Sequence, residues 1–185
     1  MIITYQGENY FKLQNGNTVV LINPVNQRSF KGAVLALNTT MPTHTEESDE
    51  EGLMIISHQG EYEIQGIQIQ GWSTKQGDGQ EETVYRIIFE EMKIVILGNL
   101  DQPLTGEIQN ACQQPDIILG PNNNSINKWV KNLEPALIIP AFDKPTDWQN
   151  FAKDFNHAET KPEEKITLKK KDLIPGKIAV QWLKA

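Results

Sequence analysis

Residues 83–105 read TVYRIIFEEMKIVILGNLDQPLT, and a change of rhythm inside this stretch decides the fold. Residues 83–89 and 93–97 are two apolar, β-branched runs separated by Glu90 and Glu91, the pattern of a β-hairpin. Strand patterns also fill the chain before this hairpin, over residues 2–5, 10–13, 18–22, 33–37, 53–57, 61–64 and 67–71. Asn15-Gly16-Asn17 supplies hairpin turn chemistry, and Pro24 ends a strand because it cannot donate to a ladder. Ile67 and Ile69 alternate with Gln68 and Gln70, as in a half-buried antiparallel strand, and the segment 73–82 reads as a polar loop. After Leu97 helix and strand patterns alternate. A short helix is expected over 104–112, a buried strand at 117–119, a helix over 125–133 capped by Ser125, and a strand at 136–139. A helix over 146–155, capped by Thr146, places Trp148, Phe151, Ala152 and Phe155 on one face. Strands at 166–168 and 178–182 close the chain, with Pro175-Gly176 between them. The order is a β-rich half, about 1–97, followed by a β/α half, about 98–185, within one domain spanning 1–185.

Composition narrows the function. The chain has 185 residues and a formal charge of −7, with one cysteine and three histidines. A lone Cys112 excludes an intramolecular disulfide framework and a cysteine-based zinc knuckle. His44, His58 and His157 are scattered. The acidic balance disfavours binding to phosphate backbones, which depends on Lys and Arg releasing counterions, so no nucleic-acid partner is expected. No apolar run approaches the ~20 residues of a membrane span, and the first residues lack the pattern of a signal peptide. No membrane partner is expected, and the chain is expected in the cytoplasm. The acidic run Glu46–Glu51 and the tail lysines (Lys161, Lys165, Lys169, Lys170, Lys171) read as solvated loop and strand edge.

Several segments together resemble a known family. ITYQGENYFKL (3–13) followed by VVLINP (19–24) resembles ITYLGHxxFKI and LIDP of the short, lactonase-like branch of metallo-β-lactamase-fold hydrolases. ISHQGEYEIQGIQIQG (56–71) is similar to ISGPGEYEIxGVxIxG, and residues 83–105 to TVYxIEADGxxIxxLGDLGHPLT. PDIILGPN (115–122), LEPALIIPAF (133–142) and KITLKKKDL (165–173) continue the pattern in order. The resemblance implies an α+β, four-layer αββα sandwich: two mostly antiparallel or mixed sheets packed face to face, flanked by few helices, with a metal site at one end.

Family members hold zinc, iron or manganese through an HxHxDH loop, a later His, an Asp in LGDL and a final His after IP. Imidazoles and carboxylates converge on the ion, which acidifies a bound water. Here Asn38 and Thr40 stand where the first two histidines belong, Pro42 where the aspartate belongs and Thr43 where the third His belongs. His44 falls one residue late. Gln76 is near the next His position, Asn99 replaces the bridging aspartate, Phe142 replaces the last His, and Asn23 replaces the aspartate of LIDP. The resemblance therefore implies a scaffold without its metal and without another cofactor. Asn in place of Asp removes carboxylates that would repel one another without a dication.

Three functions remain open. The first is a metal-free, catalytically inactive pseudoenzyme that binds an unknown protein or a small polar ligand at the remnant site. The second is a hydrolase of lactonase, esterase or phosphodiesterase type with a displaced metal or none, for which His44, His58 and the acidic run are the raw materials. The third is a structural subunit of a homo-oligomer, built on edge strands or on Trp72, Trp129, Trp148 and Trp182. Cys112 reads as packed rather than reactive.

Overall fold

The computed structural model of the chain describes residues 1–25, 30–40, 50–75, 79–120, 126–142, 144–156 and 161–185. The expectations at Pro42, Thr43, His44, Gln76, Ser125, His157 and the greater part of the acidic run lie outside these residues.

The first strands are β1 (Ile2–Tyr5), β2 (Phe11–Asn15), β3 (Thr18–Ile22), β4 (Leu35–Leu37) and β5 (Met54–Ile56). With β12 (Lys165–Thr167) they form a six-stranded sheet in the order β12-β1-β2-β3-β4-β5. Its β12–β3 part is antiparallel and its β3–β5 part parallel. The second sheet repeats this plan. It joins β6 (Gly60–Ile64), β7 (Ile67–Lys75), β8 (Glu81–Phe89), β9 (Met92–Ile96), β10 (Ile117–Leu119), β11 (Leu137–Ile139) and β13 (Ala179–Val180) in the order β13-β11-β10-β9-β8-β7-β6. It is antiparallel from β6 to β9 and parallel from β9 to β13.

Alternation explains why the sheets face each other. Ile3 and Tyr5 of β1, Phe11 and Leu13 of β2, and Tyr85, Ile87 and Phe89 of β8 all enter one apolar cluster drawn from both sheets. The intervening Val84 and Val95 face the other way, into a second cluster with α1 (Gly106–Ala111), α2 (Asn127–Val130) and α3 (Pro145–Asp154). That outer layer also takes up all four tryptophans, fully or in part, and Trp148 stacks on Trp182 at 5.4 Å. A smaller cluster of Tyr10, Val19, Leu21, Phe30, Ala33 and Ala36 covers part of the outer face of the first sheet. The hairpin expected at Glu90-Glu91 forms as a two-residue turn, both glutamates having positive φ.

Two expectations are corrected. Residues 73–82 are not all loop, because β7 runs on to Lys75 and β8 starts at Glu81, with Ser73, Thr74 and Lys75 paired to Thr83, Glu82 and Glu81. Polar residues extend this ribbon because the ladder satisfies their backbone groups and the side chains bond locally, as Thr74 Oγ1 does in donating to the Glu82 carbonyl at 3.2 Å. The last helix is capped by Lys144 rather than Thr146, because Pro145, whose fixed φ suits the first helical position, takes that place. Among the described residues no helix is long and apolar enough to cross a membrane.

Candidate functional site

The strand order brings the ends of β4, β5, β8 and β9 to one end of the sandwich, where residues 38–40, 57–58, 82–83 and 98–99 meet. Beyond β4 the chain leaves the first sheet. Thr40 forms an antiparallel bridge with Glu82 of β8, and the Thr83 amide donates to the Thr39 carbonyl at 2.6 Å. Tyr85 reaches across from the other direction. Its buried hydroxyl lies 3.1 Å from the Asn38 carbonyl and 3.4 Å from those of Ile56 and His58. One proton thus serves three carbonyls at the strand ends, and burial pushes the phenol pKa above its ordinary value.

Among the residues singled out in the sequence, Thr40 and Asn99 come together. Asn99 Nδ2 donates to Thr40 Oγ1 at 2.9 Å, and Thr40 Oγ1 donates at 2.5 Å to a residue the sequence reading passed over, Glu82. Asn99 Nδ2 also lies 3.3 Å from the same Glu82 oxygen, Oε1. Glu82 is only 2% exposed. Burial raises its carboxyl pKa above the ordinary 4.5, against the opposing pull of hydrogen bonds from Thr40 and Asn99. Its Oε2 is buried without a hydrogen bond of normal geometry, the nearby Thr39 hydroxyl donating to Asn23 instead. Gly98 makes this approach possible. Its φ is +59°, and a Cβ there would sit 2.4 Å from Thr39 Oγ1 and 3.0 Å from Glu82 Oε2. Period-two alternation counted back from buried Val84 reaches Glu82, and that was the available sign of its burial.

The other positions go separate ways. Asn23 Oδ1 accepts from the Thr39 amide at 2.8 Å and from the Thr39 hydroxyl at 3.2 Å, while its Nδ2 donates to the Asn9 carbonyl at 3.4 Å. An aspartate at position 23 could accept but not donate, so the carboxamide suits a structural tie. Asn38 turns away and donates to Ser57 Oγ at 3.1 Å. Phe142 packs edge-on against Phe151, ring centroids 5.4 Å apart, and with Asn99 lines an open pocket of about 330 Å³. His58 is exposed in the β5–β6 turn, where its carbonyl is what bonds to Tyr85. Cys112 is fully buried, and its thiol pKa is pushed up to about 11.

A metal of the family's kind needs several imidazoles or carboxylates on one point. Among the described residues no three His, Cys, Asp or Glu side chains cluster in that way. The donors that meet here are one carboxylate, one carboxamide and one hydroxyl, and the carboxylate is already engaged by Thr40 and Asn99. These donors do not fit zinc, iron or manganese.

The family model described as the β-lactamase superfamily domain matches residues 2–141. The chain belongs to the metallo-β-lactamase superfamily. A candidate Zn-dependent hydrolase of this superfamily from Thermotoga maritima shares the fold over 99% of this chain and 98% of its own, with a TM-score of 0.80 and 20% identity. A candidate metal-dependent hydrolase from Veillonella parvula aligns over 91% of this chain and 99% of its own, with a TM-score of 0.66 and 15% identity. An isothiocyanate hydrolase from Delia radicum gut bacteria aligns over 84% and 93%, with a TM-score of 0.61 and 13% identity. No curated protein matches the sequence. At these identities the likeness is one of fold, and this superfamily member keeps the sandwich while its strand-end residues form the hydrogen-bonded cluster just described.

Proposed function

We propose that this metallo-β-lactamase-fold chain is a metal-free pseudoenzyme, a cytoplasmic binding module that takes a small polar ligand at the strand end where its relatives carry hydrolase chemistry. The observation that supports this reading is the Thr40–Glu82–Asn99 cluster. Two positions corresponding to metal ligands are tied to each other through a buried glutamate, with side chains that hydrogen-bond to one another rather than leaving lone pairs converging on an ion. The pocket beside the cluster stays open and is lined by Asn99 and Phe142, which gives a ligand somewhere to sit.

Metal analysis of protein purified without chelators, paired with a panel of esters, lactones and phosphodiesters, tests the reading. Substoichiometric metal and no turnover are expected. Stoichiometric zinc, iron or manganese that is lost in Asn99→Ala overturns it. A second reading, a metal-free hydrolase, has one observation in its favour: a hydroxyl 2.5 Å from a buried carboxyl at Thr40–Glu82. Turnover abolished by Thr40→Val would select it.

A further inference from the structure

The two sheets end in four edge strands, and three of these edges are blunted. β5 and β12 have three residues each and β13 has two, and β12 carries Lys165. Short length and lysine both discourage an edge from pairing with another chain. β6 is different. It offers five residues, Gly60–Ile64, without lysine, proline or a bulge, and its register with β7 is unbroken. The turn that follows shows which of its backbone groups are free. Gln65 and Gly66 have φ of 49° and 79°, so they form a two-residue hairpin turn closed by a hydrogen-bonded pair, Ile64 and Ile67. Bonded and non-bonded pairs alternate along an antiparallel ladder. Tyr62 and Gly60 therefore bond to β7, while the N–H and C=O groups of Glu61 and Glu63 point to the open side. Among the described residues no strand or loop pairs with them there.

The side chains of β6 say what kind of strand fits. Tyr62 and Ile64 turn inward and pack on the apolar layer between the sheets, yet both stay partly exposed at its margin. Met54 of β5 shares the side of Ile56, which enters the same layer, and it is 48% exposed. The opposite margin is closed by the C-terminal segment, which adds β12 to one sheet and β13 to the other. Glu61 and Glu63 point outward, exposed, opposite Gln70 and Gln68. Among the described residues neither glutamate forms an ion pair. Glu61 accepts from Gln70, and the next residue in that row, Arg86, is engaged by Gln70, the Ala111 carbonyl and the Trp72 ring. A second copy pairing its β6 antiparallel to this one, faces aligned, would set glutamate directly against glutamate, and like charges across a ladder repel. A strand with cations at its outward positions is attracted instead, and its inward positions must be apolar to cover Tyr62 and Ile64.

We propose that β6 is a docking edge for an extended segment of another protein in which lysine or arginine alternates with apolar residues. The segment adds a strand to the sheet: its backbone pairs with Glu61 and Glu63, its cations lie beside the two carboxylates, and its apolar side chains cover Tyr62 and Ile64. The same two glutamates that admit this partner exclude self-pairing. None of Thr40, Glu82 and Asn99 belongs to this edge, so docking there is independent of the metal-free reading.

The test is NMR titration of the full-length chain with three end-blocked peptides: lysine alternating with valine, glutamate alternating with valine, and the first composition rearranged into a lysine block and a valine block. The alternating lysine–valine peptide is expected to bind about tenfold or more tightly than the other two. It is also expected to slow exchange of the Glu61 and Glu63 amides about tenfold or more. Glu63→Pro removes one free N–H without touching the β7 ladder and is expected to weaken binding about tenfold or more. Since proline can disturb folding, the double variant Glu61→Lys with Glu63→Lys, at two exposed positions, serves as a second one. It is expected to transfer the preference to the glutamate–valine peptide. Block and alternating lysine peptides binding equally would mean attraction without strand pairing and overturns the proposal. So does binding indifferent to both variants, or no binding of the alternating lysine–valine peptide at about 1 mM. A parent dimer that Glu63→Pro dissociates assigns the edge to a second copy and overturns it as well.

Discussion

The space between the two sheets and the end where their strands stop are built on opposite chemistry. Between the sheets, Ile3, Phe11, Leu13, Tyr85 and Ile87 interlock as an apolar layer with almost no exposed surface. At the strand end, a few ångströms beyond Tyr85, a carboxylate, hydroxyls and carboxamides settle one another through directed bonds. The first region tolerates any residues of suitable size and greasiness, so a fold survives long divergence there. The second depends on particular atoms, so exchanging a few residues changes its chemistry while the fold stays. The 20% identity to the Thermotoga maritima protein at a TM-score of 0.80 is what that division produces.

The contrast can be broken most forcefully in the apolar layer. Phe11→Ala removes a fully buried ring and is expected to cost about 3–5 kcal/mol by urea denaturation. A loss under about 1 kcal/mol would mean that the layer does not carry the fold. Tyr85 lies on the border, and Tyr85→Phe keeps the ring in the layer while removing the proton shared by three carbonyls. A loss of about 1–3 kcal/mol is expected. Tyr85→Phe with unchanged stability would show that the hydroxyl does not tie the strand end to the core.

Charge sharpens the comparison further. Asn99→Asp puts a second carboxylate against Glu82, so stability is expected to fall, by about 1–2 kcal/mol at neutral pH and less in acid. Added zinc that restored the loss would show the site can still accept a metal. The smallest effect is expected from Glu82→Gln. The native carboxyl is held above its ordinary value of 4.5, so the folded state binds its proton more tightly than the unfolded chain. Stability is then fully present below 4.5 and declines as pH rises through the native value. Glu82→Gln should flatten that decline, matching the parent in acid and exceeding it at pH above the native value. Parallel stability–pH curves for the two proteins would rule out a buried, titrating Glu82.

Much of this was legible in the residues, and the exceptions have physical causes. The hairpin at Glu90-Glu91 and the one-sided helix of Trp148, Phe151 and Ala152 follow from local periodicity. Segment 73–82 misleads because its polar side chains look like a loop while its backbone is paired. Glu82 was hidden for a related reason, since a glutamate beside another glutamate in a polar stretch reads as solvated. Asn38 and Thr40, two residues apart, reach different partners, Ser57 and Glu82, because the chain crosses from one sheet to the other between them.

By itself the sequence determined the strand rhythm, the succession of a β-rich and a β/α half, and the scarcity of histidine and cysteine. These are properties of spacing and residue type, and neither needs a third dimension. Only the tertiary structure decided that Thr40, Glu82 and Asn99 share one carboxyl oxygen, and that Asn23 serves Thr39 and Asn9. A hydrogen bond joins atoms within about 3 Å of each other whatever their separation along the chain. It is the packing of two sheets, driven by apolar area rather than by these polar groups, that brings those atoms within reach.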